Sequence, residues 1–126
     1  MRMWQGVSAL SGLEGIISPA YTVVVPGPTL CAEFVKHYFK FPENVHLFFR
    51  YSQGLVNDTL NCKFKHFRLI RMRFPEKAEQ EAIASILNQS DEEIAVEASK
   101  LNELKEQKRG LMQKLLTGQI RVRVGV

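Results

Sequence analysis

Lys63, Lys65, Arg68, Arg71 and Arg73 place five cations in eleven residues, with no acid between Asp58 and Glu76. Such a run can neutralise phosphates, and each contact releases counterions and adds affinity for a polyanion. Its bland alternative is the solvent-facing side of an ordinary strand. Just upstream, Arg50, Gln53 and Asn57 surround a turn that also holds Tyr51 and Ser52. Gln and Asn can read an adenine edge with two hydrogen bonds, and Arg can read guanine. A helix end with common turn residues would look the same. The remaining chemistry-bearing residues form no constellation. Cys31 and Cys62 have no C-x-x-C spacing, and His37, His46 and His66 are scattered. The expectation is two free thiols and no metal. No phosphate-cradling glycine loop opens a helix, and no Ser/His/Asp or paired-carboxylate arrangement stands out. The chain therefore reads as a binding protein and not an enzyme, with no cofactor of its own.

The charge balance agrees with a polyanion partner. The chain of 126 residues has a net charge of +4. Residues 1–75 carry nine Lys/Arg against four Asp/Glu, net +5; residues 76–126 carry eight against nine, net −1. A basic head on a nearly neutral stalk suits a head that meets nucleic acid. The 45% apolar and 24% charged composition is that of an ordinary soluble protein. No apolar run reaches the roughly 18 residues of a membrane span, and Met1-Arg2-Met3-Trp4-Gln5-Gly6 lacks a signal pattern. A cytoplasmic protein is expected.

The elements that must hold these residues follow from pattern. The β-branched stretch Gly15 to Val25 reads as strand, interrupted by Pro19 and ended by Pro26-Gly27-Pro28. Thr29 can N-cap a helix in which Leu30, Phe34, Tyr38 and Phe41 repeat, closed by Pro42. Residues 44–52 suggest a second short helix ended by Gly54, and residues 64–74 a basic strand ended by Pro75. Phe34, Tyr38, Phe39, Phe48 and Phe49 read as core. Residues 120–124 alternate as a short strand or extended tail.

From Glu79 onward the period changes. Ile83, Leu104 and Leu111 lie on one seven-residue track; Leu87, Ile94, Leu101 and Leu115 lie on the other. The offset of three and four is the a/d seam of a helix that packs on another helix. Ser90-Asp91-Glu92-Glu93 fits a capping box. That predicts a short helix near 77–88, a break at Gln89–Ser90 and a long helix near 91–117, with Gly118 just beyond its end. Ser90, Glu97 and Lys108 interrupt the seam. Three polar positions suit antiparallel pairing or a different protein partner better than a simple parallel dimer. The expected fold class is α+β: a small mixed α/β DNA-recognition head over residues 1–75, then a coiled-coil-like helical arm over 76–126.

These residues carry a resemblance. Glu79-Gln80, Ile83, Ile86-Leu87, Asp91, Ile94, Leu104-Lys105, Lys108, Gly110-Leu111-Met112 and Leu115-Leu116-Thr117-Gly118 followed by Arg121-Val122 are similar to the helical region closing a target recognition domain. The family is the specificity subunit of type I restriction-modification enzymes. Met1 to Gly6, Gly15 to Tyr21 and Ser52-Gln53-Gly54 resemble segments of the second part of such a domain. Phe74-Pro75-Glu76-Lys77-Ala78 departs from the two adjacent prolines often seen before Glu-Gln. The resemblance covers nearly the whole chain, and it looks like the C-terminal part of one recognition domain with its helix. It implies a non-catalytic subunit that reads a half-site in double-stranded DNA. Its helix would pair with a second copy or another specificity chain, and would scaffold the methylation and restriction subunits. S-adenosylmethionine and ATP would belong to those partners. The alternative is an assembly module without DNA binding, pairing only through its helix.

Overall fold

The computed structural model describes residues 2–56, 59–123 and 125. Its helices are α1 (Ala32–Tyr38), α2 (Pro42–Arg50), α3 (Phe64–Phe67) and α4 (Lys77–Leu116), preceded by a 3₁₀ turn at Met3–Gln5. The chain divides into two compact units, Met1–Leu87 and Asn88–Val126.

In the first unit the core forms where aromatic residues converge. Met3, Phe48 and Cys62 are buried together, with Phe39, Tyr51, Phe67, Ile70 and Met72 against them. A second cluster joins Phe34, Val35 and Ala84, covered by Leu30, Tyr38, Phe74 and Ile83. Phe39 touches both. Its ring meets Phe48 and Phe67 edge-on at 5.4 and 5.9 Å, a favoured geometry for aromatic pairs. Four of the five expected core aromatics are placed in or against these clusters. Phe49 is instead 43% exposed and lies edge-on to Trp4.

The helix boundaries show local chemistry that the pattern missed. Pro42 opens α2 at its first turn instead of only closing α1, because its missing N–H and fixed φ cost nothing there. Asn44, buried, donates from Nδ2 to Tyr38 O at 2.7 Å and so satisfies a carbonyl at the end of α1. Thr29 does not cap α1. The residue before the helix is Cys31, and its backbone N–H donates to Gln80 Oε1 at 2.9 Å. Gly54 does not end α2, which stops at Tyr51 with Ser52 Oγ donating to Phe48 O. A Cβ at Gly54 would lie 2.6 Å from the Thr59 carbonyl carbon, so glycine is required there by close backbone approach.

The α+β head is not supported. Among the described residues the only β pairing is an isolated antiparallel bridge, Gln53 with Asn61. Residues 15–25 form no ladder; Ile16, Val23 and Val25 are largely exposed, and Ser18 starts a turn with Tyr21 N–H on its carbonyl. β-Branched composition needs a neighbouring strand to become a sheet, and none lies alongside. The basic strand of 64–74 is also corrected. Its first four residues form α3, and 71–74 have no ladder. Alternation nevertheless survives: Ile70, Met72 and Phe74 turn to the clusters while Arg71 and Arg73 face solvent. Residues 120–123 are likewise without ladder, and Val124 lies outside the described residues.

The long helix is present and is continuous. α4 runs 40 residues, about 60 Å at 1.5 Å per residue, with no break at Gln89–Ser90. Restarting a helix would cost a fresh nucleus, whereas a mid-helix Ser costs only tenths of a kcal/mol. Gln89 Nε2 donates to Glu93 Oε1 across the expected break. At the far end Thr117 Oγ1 donates to Gln113 O, and Gly118 takes φ +74° with its N–H on Leu115 O. This is the glycine stop that the sequence places just past the helix.

Candidate nucleic-acid interface and helix-packing face

α3 and the residues after it set the cations. Lys63 precedes α3, Lys65 lies within it and Arg68 follows it. Phe67, Ile70 and Met72 anchor this stretch to the first cluster. That anchoring turns Lys63, Lys65, Arg68, Arg71 and Arg73 outward, and all five are exposed. None of the five side chains makes an ion pair or hydrogen bond among the described residues. Ion pairs among the described residues include Lys36–Glu33, Lys100–Glu97 and Arg109–Glu106, all elsewhere. Five uncompensated guanidinium and ammonium groups raise the local potential and can take several phosphates without first breaking internal pairs.

Arg68 and Arg71 also border one groove with Val24, Val25, Leu30 and Phe67, of about 580 Å³. They are thus brought together at a shared apolar floor. Arg50 ends α2 and is exposed. Gln53 is exposed as well; its backbone is held by Asn61 at 3.1 and 3.0 Å, two residues before Lys63. The bridge brings the turn after α2 beside the start of the basic stretch. Asn57 lies outside the described residues.

Trp4 was not assigned by the sequence pattern. Its indole N–H donates to Leu60 O at 3.3 Å, and its ring meets Phe49 edge-on. His46 stacks on the same Phe49 ring at 6.3 Å. A half-exposed aromatic group therefore sits on α2. Its only sequence signal is Trp4 standing before the first glycine. Cys62 is fully buried in the first cluster, and burial pushes its thiol above the usual range. It is a core residue, and its burial disfavours the thiolate. Cys31 and Cys62 are both free.

On α4 the seam residues divide by surroundings. Ile83 packs into the second cluster of the first unit, beside buried Ala84. Leu87 and Leu115 are each 39% exposed, and Ile94, Leu101, Leu104 and Leu111 exceed half. Leu104, Lys108, Leu111 and Leu115 line one shallow apolar groove along the helix. Leaving such side chains in water forgoes about 1.5–3 kcal/mol for each one that burial would gain.

No helix is long and apolar enough to cross a membrane among the described residues. No group of three or more His, Cys, Asp or Glu that could hold a metal ion occurs among them either. Comparison of the chain with family models, curated proteins and solved structures finds no match.

Proposed function

We propose that the chain is a non-catalytic DNA-recognition element of the type I specificity-subunit kind, binding duplex DNA through its basic stretch and pairing through α4. The observation that carries this reading is the set of five exposed cations from Lys63 to Arg73, free of acids in sequence and of ion pairs among the described residues. Arg50, Gln53 and Asn57 supply donors for base edges, and the cations supply phosphate contacts that set position. The uncovered seam of α4 supplies the second half of the reading, a helical partner: a second copy or another specificity chain, with methylation and restriction subunits joining the assembly. The chemistry of methyl transfer and ATP hydrolysis would sit in those subunits, in the cytoplasm.

Fluorescence anisotropy against random-sequence duplex DNA, titrated with salt, tests it. Binding should weaken with a log–log slope near −0.9 for each phosphate neutralised. A slope of about −3 to −5 fits the cation set. Absence of binding at low salt would refute DNA recognition. The exposed α4 seam would then favour the second reading, an assembly module that engages other subunits through its helix alone.

A further inference from the structure

The groove of about 580 Å³ in the first unit is bounded by two extended segments that lack a partner strand. Val24 lies on one side of it; Arg68, Arg71 and Met72 lie on the other, over Val35 and Phe39. Both segments show the period of a strand. Val24 is 40% exposed between Val23 at 69% and Val25 at 88%. Ile70, Met72 and Phe74 are half-buried, with exposed Arg71 and Arg73 between them. Yet among the described residues no backbone–backbone hydrogen bond involves Thr22 to Pro26 or Arg71 to Phe74.

One edge of the second segment is closed and the other is open. In an extended chain the N–H and C=O of alternate residues point to opposite edges. Arg73 O accepts from Tyr38 Oη at 2.8 Å, so the edge shared by Arg71 and Arg73 is turned to α1. The backbone groups of Met72 and Phe74 are left on the opposite edge, without a partner among the described residues. Such a row is a template for another strand, which would lie about 4.8 Å away. A helix satisfies its own backbone and could not pair with it.

Charge narrows the occupant further. Arg68 and Arg71 border the groove and make no ion pair among the described residues. A strand that alternates apolar and acidic side chains would set its apolar row on Val35 and Phe39. Its acids would share the outward face with Arg71, as cross-strand pairs. We propose that this groove takes an extended peptide of another protein, alternating apolar residues with Asp or Glu, which pairs with Met72 and Phe74 as an added strand. Peptide docking does not depend on DNA binding, although both would draw on Arg68 and Arg71.

A fluorescein-labelled peptide of about six residues, alternating valine and glutamate, is long enough to run past Arg71–Phe74. Titrating it with the full chain by anisotropy, with backbone amide exchange followed by NMR, tests the proposal. The expected result is saturable binding, with exchange slowed at the Met72 and Phe74 amides and not at Arg71 and Arg73. A serine–glutamate peptide keeps the charge, and a valine–lysine peptide keeps the apolar row; each should bind at least tenfold more weakly. N-methylating every second residue, in each of the two registers, should abolish binding in the register that loses the N–H groups facing Met72 and Phe74. Arg68→Gln with Arg71→Gln should erase the difference between the glutamate and lysine peptides while the urea midpoint stays put. No binding at about 1 mM peptide overturns the proposal. So does a serine–glutamate peptide that binds equally well, which would show surface charge pairing alone. Unchanged binding in both N-methylated registers also overturns it, because the groove would then be an apolar cleft without strand addition. A valine–lysine peptide that binds as tightly as the glutamate one overturns the assigned partner chemistry.

Discussion

Replacing Gln80 should unfasten the head of the protein, and the structure allows the size of the effect to be worked. Gln80 is 1% exposed and uses its whole amide. Oε1 accepts from Cys31 N–H at 2.9 Å; Nε2 donates to Pro75 O at 2.8 Å and to Thr29 O at 3.2 Å. Three bonds at a net 0.5–1.5 kcal/mol each give about 3 kcal/mol, and truncation adds a cavity. Gln80→Ala should therefore cost about 3–4 kcal/mol. Gln80→Met, which keeps the volume, should cost about 2–3 kcal/mol, since the Cys31 N–H and two carbonyls still lose their partner. Gln80→Glu adds a sign test. A buried carboxylate facing two carbonyls has its pKa raised, so the folded state binds the proton more tightly than the unfolded state. Stability is then present at low pH and lost as pH rises through the raised value. Urea unfolding followed by fluorescence of Trp4, the single tryptophan, reads the first unit directly. A loss below about 1 kcal/mol for Gln80→Ala, or a Gln80→Glu variant that gains stability with rising pH, would refute the clamp.

Arg68→Glu with Arg71→Glu reverses two exposed charges beside one groove and should lower DNA affinity at least tenfold. The salt slope should fall by about 2 in the anisotropy titration while the urea midpoint stays put. Gly110→Ala should stabilise α4 by about 1 kcal/mol, because nothing lies within 4 Å of an added Cβ and glycine is costly inside a helix; circular dichroism during thermal melting measures it. Cys62 should stay unmodified by a thiol reagent in the folded protein. Its raised pKa makes its contribution to stability present at neutral pH and lost as pH climbs through the thiol range, which alkaline urea titrations of Cys62→Ser against the parent would show.

The sequence made α4 and its end legible because both depend on residues close along the chain. A seven-residue apolar period over 83–115 and a Thr-Gly stop need no distant partner to be read. Its continuity through Ser90 was not legible: a capping box marks where a helix can start, and says nothing of whether one is already running. The strands failed for a different reason. Residues 15–25 have strand composition, yet a ladder needs a second segment, and no local pattern supplies one. The cations were legible as a run, and their exposure follows from Phe67, Ile70 and Met72 being pulled inward on alternate positions. That the alternation outlived the expected strand shows that period two reports which side is buried, not whether a ladder forms.

Gln80 shows what local reading leaves out. It stands in the Glu79-Gln80 pair that carries part of the family resemblance, and nothing in its surroundings along the chain marks it as buried. In space it accepts the N–H of Cys31, the residue before α1, which itself gives the helix no side-chain cap. Its bonds tie the loop before α1, the residue that ends the basic stretch and the first turn of α4 to one another. Lys77 adds a bond to Pro28 O at 3.1 Å on the same side. The first turns of α4 are therefore part of the head, and the boundary between units falls at Leu87, not before the helix. A consequence follows for the seam. The residues nearest Gln80 are built into the head, while Ile94, Leu101, Leu104 and Leu111 beyond Leu87 are each more than half exposed. The Gln80 amide thus marks the part of α4 that is built into the first unit; the apolar seam side chains beyond Leu87 stay exposed.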